Sequence, residues 1–172
     1  MNSQNANRLR VKELVSSSPG IHLRRLQKLL GVSWSTTRYH VYNLMKDGEI
    51  VSSPSRGHNR LYPAGTTHEM KTVYACLQNK SVRKVLRGLA NGATSGLTQA
   101  KLSEMVRLSR STISSCVATL DGVGFVRRRS TTDGQVTLEV QDRKQVLELL
   151  AVFDRNDLLS VATDRFSDLW DI

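Results

Sequence analysis

Cysteine is almost missing from these 172 residues: there are two, Cys76 and Cys116, far apart in the chain. That excludes a disulfide framework and fits a reducing compartment. No CxxC pair or HExxH run occurs, and His22, His40, His58 and His68 are scattered, so no metal centre is expected. Neither a Walker A loop nor a GxGxxG run is present, and no cofactor is expected. Asp47 and Glu49 stand close together but read as turn residues rather than a paired acid and base, so no catalytic residue is expected. The longest uncharged apolar stretch, Leu149–Phe153, is far too short to cross a bilayer. The opening MNSQNANRLR lacks the apolar segment of a secretory signal, and a cytoplasmic protein is the expectation. Aromatics are 5% and hydrophobic residues 39% of the chain, enough for small cores rather than one large one.

Acid is the scarcer sign of charge. Lys and Arg number 25 against 15 Asp and Glu, a net charge of +10. Residues 1–65 carry +7, residues 66–96 carry +4, residues 97–140 carry +2 and residues 141–172 carry −3. A small basic protein attracts polyanions, of which nucleic acid is the commonest. The attraction concentrates in the first half, and the acidic tail must face elsewhere.

The chain repeats itself. A shift of 76 positions lays Ile21–Val51 on Leu97–Arg127 without a gap. Leu26 then falls on Leu102, Ser33 on Ser109, Ser35 on Ser111, Thr36 on Thr112, Val41 on Val117, Leu44 on Leu120 and Gly48 on Gly124. Apolar spacing and turn residues are what recur, as two copies of one small module require.

Each copy reads helix, tight turn, helix, hairpin. In the first, Ala6–Ser17 has one apolar face and Ser-Ser-Pro-Gly at 17–20 stops it. Ile21–Leu23 reads as a short strand and Arg24–Leu30 as a helix ended by Gly31. Ser33 is the expected N-cap of a third helix with Thr37, Val41 and Leu44 on its inner side. Glu49–Ser52 and Asn59–Tyr62 read as strands around the loop Ser-Pro-Ser-Arg-Gly-His. The second copy places helices at Ser81–Ala90, Thr98–Val106 and from Ser109 to Gly122, then strands at Phe125–Arg129 and Gln135–Val140. Further helices are expected at Thr67–Asn79, Asp142–Phe153 and Asn156–Trp170.

The run PGIHLRRLQKLLGVSWSTTRYHVYNLMKDGEIV, from Pro19 to Val51 and on through the hairpin to Pro63, resembles archaeal transcription regulators of the winged helix-turn-helix family. LTQAKLSEMVRLSRSTISSCVATLDGVGFVRRR, at 97–129, is similar to the MarR-like or ArsR-like version. The resemblance implies a mainly α fold with small β-hairpin wings. It implies two tandem winged helix-turn-helix domains, at 1–65 and 81–141, with a linker helix at 66–80 and a C-terminal helical segment at 142–172. It also implies sequence-specific binding of double-stranded DNA and control of transcription, without enzymatic activity. The residues themselves leave open a protein-interaction or RNA-binding module, or an architectural DNA-binding protein without sequence preference.

In the resembled fold the third helix enters the major groove. The face opposite its core carries Trp34, Ser35, Arg38, Tyr39, Tyr42, Asn43 and Lys46. Arg38 suits guanine, Asn43 suits adenine and Lys46 suits the backbone. Trp34 suits a sugar or a thymine methyl, although Trp34 and Tyr39 would equally suit packing against the wing or the preceding helix. Ser35 and Thr36 lie at the helix start, where free backbone N–H groups favour phosphate. The wing adds Ser55, Arg56, Gly57, His58, Asn59 and Arg60, for an adjacent minor groove or phosphate. The second copy offers Arg110, Ser111, Ser114 and Ser115, with Arg128 on the following strand. Its outward positions are nearly uncharged, so it either binds DNA weakly or serves as a spacing or dimer element. The apolar positions Val146, Leu149, Leu150, Phe153, Phe166 and Trp170 need a partner surface; a homodimer interface matching a palindromic site is expected, with packing inside a monomer as the alternative.

Overall fold

The computed structural model describes residues 3–55, 58–93 and 96–154. The chain is mostly helical with two small antiparallel hairpins. α1 (Ser3–Ser17) leads into β1 (Ile21–His22), α2 (Leu23–Leu30), α3 (Trp34–Lys46), and the hairpin of β2 (Ile50–Ser55) and β3 (His58–Pro63). α4 (His68–Leu77) follows. Then come α5 (Lys80–Asn91), α6 (Gln99–Val106), α7 (Arg110–Gly122) and the hairpin of β4 (Val126–Ser130) and β5 (Val136–Val140). A last helix, α8, covers residues 143–154. The segment expected at Asn156–Trp170, with Phe166 and Trp170, lies outside the described residues.

The 76-residue shift carries α2 onto α6 and α3 onto α7 with both ends matching. Local chemistry explains why. Gly31 ends α2 at φ +70°, and its counterpart Arg107 ends α6 at φ +50°, a left-handed turn taken by a side chain that usually avoids it. Gly48 and Gly124 take φ +69° and +76° after α3 and α7. There the amides of Glu49 and Phe125 turn back to the carbonyls of Leu44 and Leu120 at 2.9 and 3.0 Å. Ile21 pairs with Leu61 in the first sheet, and Leu97 bridges Leu138 in the second. These pairings differ in register by one residue, which the second hairpin spends in a longer loop.

The first hairpin is longer than the sequence suggests. Its strands run to Ser55 and from His58, and Pro54 pairs with Asn59 in a segment expected to be loop. Proline is tolerated because β2 is an edge: the strand order is β1-β3-β2.

Two compact units result. One comprises the described residues up to Ala75 with 152–154; the other is Cys76–Ala151. The division falls within α4 rather than on either side of a free linker helix. In the first unit Val11 and Val15 of α1 join Ile21, Leu26, Leu30, Val41, Leu44, Ile50 and Leu61 in one core. Tyr62 fastens α4 to it: its hydroxyl donates to the Lys71 carbonyl at 3.3 Å, and the Lys71 ammonium stands 6.0 Å from its ring centre. The second unit buries Val82, Val85, Leu86 and Leu89 of α5, Leu102 and Val106 of α6, and Ile113, Val117 and Leu120 of α7.

The apolar face of α8 departs from expectation. Val146, Leu150 and Phe153 are buried within the single chain, and Leu149 is half-buried. Three of the side chains assigned to a homodimer interface are therefore already covered, because one chain supplies enough apolar surface to cover them.

Candidate nucleic-acid interface

α3 is held at both ends and along its back. Ser33 caps it: the Oγ accepts from the Thr36 amide at 3.1 Å, and lies 2.7 Å from Thr36 Oγ1 and 3.0 Å from Ser35 Oγ. The Ser33 carbonyl accepts from the Thr37 amide and from Thr37 Oγ1, both at 3.0 Å. Gln27 of α2 donates to the Val32 carbonyl at 3.1 Å, fixing the three-residue turn before the cap. Thr37, His40, Val41 and Leu44 are buried. At the far end Arg8 of α1 bridges Asp47 at 2.8 Å and Glu49 at 2.6 Å, and Lys12 also pairs with Glu49. The Lys12 and Arg8 hydrogen bonds hold the Glu49 carboxyl below its usual range. The only acids near the end of α3 in sequence are thus neutralised from the side of α1.

His40 is the unusual member of the buried row. Its Nε2 is buried and has no hydrogen-bond partner among the described residues. Burial, with the Arg8 charge second, lowers its pKa, so the ring is neutral at pH 7. Its ring meets Tyr39 edge-on at 5.3 Å. His40 is inside, not on the outward face.

The outward face carries Trp34, Ser35, Arg38, Tyr39, Tyr42 and Lys46, all exposed, with Asn43 and Thr36 half-buried. Trp34, Tyr39 and Tyr42 are 43%, 55% and 68% exposed, unusual for large aromatics in a small protein. No acidic residue lies in α3. Thr36 departs from the phosphate role: its amide and hydroxyl are both engaged by Ser33, which leaves fewer free N–H groups at the helix start. Met45, 41% exposed, is a further surface residue of α3 that the sequence reading did not single out. The signal was available: eleven residues after Trp34 is about three turns, so Met45 shares the Trp34 edge.

The wing divides. Asn59 is exposed. Arg60 turns inward instead of reaching out: its Nη1 donates to the Gly20 carbonyl at 2.8 Å, tying β3 to the turn before β1. A mid-strand residue opposite Ser53 and His22 has a sheet on both sides, which the expected loop ending at His58 concealed. The side chains of Ser55, Arg56 and His58, and Gly57, lie outside the described residues.

The second unit repeats the scaffold without the chemistry. Ser109 caps α7 through the Thr112 amide at 3.2 Å, with Ser111 and Thr112 hydroxyls at 3.0 and 2.8 Å. The exposed positions of α7 are Arg110, Ser111, Ser114, Ser115, Ala118, Asp121 and Gly122. On β4, Arg128 lies 3.9 Å from Asp121 and Arg129 lies 3.4 Å from Glu139, so two of three successive arginines face acids of their own unit. Cys116 is buried, and burial raises its thiol pKa, which leaves it protonated and inert.

Among the described residues no group of three or more His, Cys, Asp or Glu could hold a metal ion, and no helix is long and apolar enough to cross a membrane. No curated protein matches the chain. Among solved structures, the PcaV transcriptional regulator from Streptomyces coelicolor, in complex with its natural ligand, is 19% identical. That match covers 81% of this chain and 91% of that one, with a TM-score of 0.44. The S. aureus MepR–DNA complex is 17% identical, covering 59% of this chain and 90% of that one, with a TM-score of 0.41. At these scores neither likeness bears on what this chain binds. The family HTH_HVO_0163_N, described as an N-terminal HTH domain, matches residues 5–73. That span contains most of α1, all of β1 to β3 and the start of α4. Residues 5–73, about two fifths of the chain, are thus similar to an N-terminal helix-turn-helix domain.

Proposed function

We propose that the chain regulates transcription by binding double-stranded DNA sequence-specifically, with α3 in the major groove and the β2–β3 wing on the adjacent backbone or minor groove. One observation carries this reading. α3 is anchored from behind by α1, α2 and its cap, and it presents Arg38, Tyr39, Tyr42 and Lys46 on an exposed face without acid. A rigid helix with fixed outward donors is what base-edge recognition requires. The basic charge of residues 1–65 adds the long-range attraction. Binding, not catalysis, is the proposed role.

The second unit is read as a tandem winged helix with weak phosphate affinity, because α7 keeps the cap but has Arg110 as its one cation. A dimer through α8 is not part of this proposal, since Val146, Leu150 and Phe153 are covered within one chain. The test is selection of duplexes from a random pool by the full chain at physiological salt. An enriched motif is expected. Arg38→Ala then weakens binding by about 1–3 kcal/mol and relaxes preference at one position. Retention without any motif would show an architectural role, and unchanged binding by Arg38→Ala would remove α3 from base reading.

A further inference from the structure

The outward face of α3 contains a regular row. Trp34, Arg38, Tyr42 and Lys46 follow one another at intervals of four residues, and all four are exposed. Residues four apart form a ridge on a helix surface. Along this ridge aromatic and basic side chains alternate. The matching row of α7 is Arg110, Ser114, Ala118 and Gly122, in which neither aromatic and neither cation is kept in place and an arginine stands at the Trp34 position. The folded core does not use the aromatics: Trp34 and Tyr42 are 43% and 68% exposed, while Thr37, Val41 and Leu44 do the packing.

We propose that this ridge is a readout comb in which Trp34 and Tyr42 each cover a thymine C5-methyl, and Arg38 between them takes a guanine. This rests on the DNA-binding reading above and specifies what it recognises. The occupant follows from charge and shape together. Two cations and no acid on α3 select a polyanion, and the apolar feature that the major groove presents is the thymine methyl. An aliphatic or acidic protein surface would leave Arg38 or the aromatics unmatched. Trp34 and Tyr42 are eight residues apart, about 12 Å along the helix axis. For a helix lying along the groove that is about three to four base-pair steps of 3.4 Å. The comb therefore demands two methyl-bearing positions at that separation with a guanine between them. Lys46, at the end of the row, falls beyond the second thymine, where a point charge suits phosphate.

The test uses the full chain and the duplex it enriches from a random pool. Each thymine is replaced in turn by deoxyuridine, which removes only the methyl group. Two positions separated by three to four base pairs are expected to lose about threefold to fivefold in affinity, the worth of one buried methyl. Trp34→Ala should abolish sensitivity to deoxyuridine at one of them and leave the other, and Tyr42→Ala the reverse. Both side chains are exposed, so circular dichroism should show the fold unchanged. Binding that is indifferent to deoxyuridine at every position would overturn the comb while leaving the DNA-binding function standing. Equal losses by Trp34→Ala on thymine and deoxyuridine duplexes would assign Trp34 to a sugar or a protein surface and overturn it likewise. A pool that yields no enriched duplex would overturn base reading itself, and the comb with it.

Discussion

Gly88 sits inside α5, where alanine is ordinarily better. Removing an interior glycine should favour the helix by about 0.5–1 kcal/mol. The structure opposes this. A Cβ at residue 88 would lie 2.6 Å from Val106 Cγ1, 3.1 Å from Leu102 Cδ1 and 3.3 Å from Met105 Cε. Met105 is exposed and can move. Val106 is buried and β-branched, so its Cγ1 cannot swing away without leaving its rotamer. Overpacking of this kind costs about 1–3 kcal/mol. The clash therefore outweighs propensity, and Gly88→Ala should destabilise the second unit by about 1–2 kcal/mol. Amide hydrogen exchange over α5 and α6 is the appropriate measurement, because it reads the second unit separately from the first. Gly88→Ala should accelerate exchange there. Val106→Ala, added to it, should cost less than in the parent, because it removes the atom that clashes. Slower exchange in Gly88→Ala, or strictly additive effects in the pair, would refute the close α5–α6 approach.

Three further outcomes are expected. Ser33→Ala removes the acceptor of the Thr36 amide and should destabilise the first unit by about 1 kcal/mol in urea melts, with faster exchange confined to the first turn of α3. Glu49→Gln tests the Arg8–Lys12 cluster. Since the Glu49 pKa is lowered on folding, its stabilisation is full above the ordinary carboxylate range and vanishes as pH falls through the folded value; the gap between wild type and variant in urea melts should therefore close in acid. His40→Leu removes a buried nitrogen without a partner. The His40 pKa is also lowered on folding, so wild type should lose stability as pH falls below about 6.5, the ordinary histidine value, and the variant should lose less in thermal melts across that range.

Sequence was a good guide where local chemistry decides. Ser33 and Ser109 announce their helices because a hydroxyl before an amphipathic run has one use, and both cap as expected. The buried row Thr37, Val41 and Leu44 follows from helical spacing alone. What the sequence hid depends on partners distant along the chain. Arg60 reads as a wing cation until Gly20 is found 2.8 Å away, forty residues earlier. Thr36 reads as a phosphate contact until its donors are counted against Ser33. Pro54 reads as loop because the edge position that tolerates it is a property of the sheet. The α8 positions read as a dimer face because periodicity reports that a face is buried, not what buries it.

The two halves of the chain separate what a fold needs from what a function needs. The elements that recur after 76 residues are caps, left-handed turn residues and inward apolar positions, which set backbone geometry. Past the first turn, where Ser35 recurs as Ser111, the outward positions do not recur. Trp34, Arg38, Tyr42 and Lys46 have Arg110, Ser114, Ala118 and Gly122 in their register, with no aromatic retained. Outward side chains contribute little to stability, so folding places no demand on them. A face that keeps four large aromatic or cationic side chains in solvent on one unit, and one arginine among small residues on the other, is therefore not explained by packing, and it is the face that the proposed DNA contact uses.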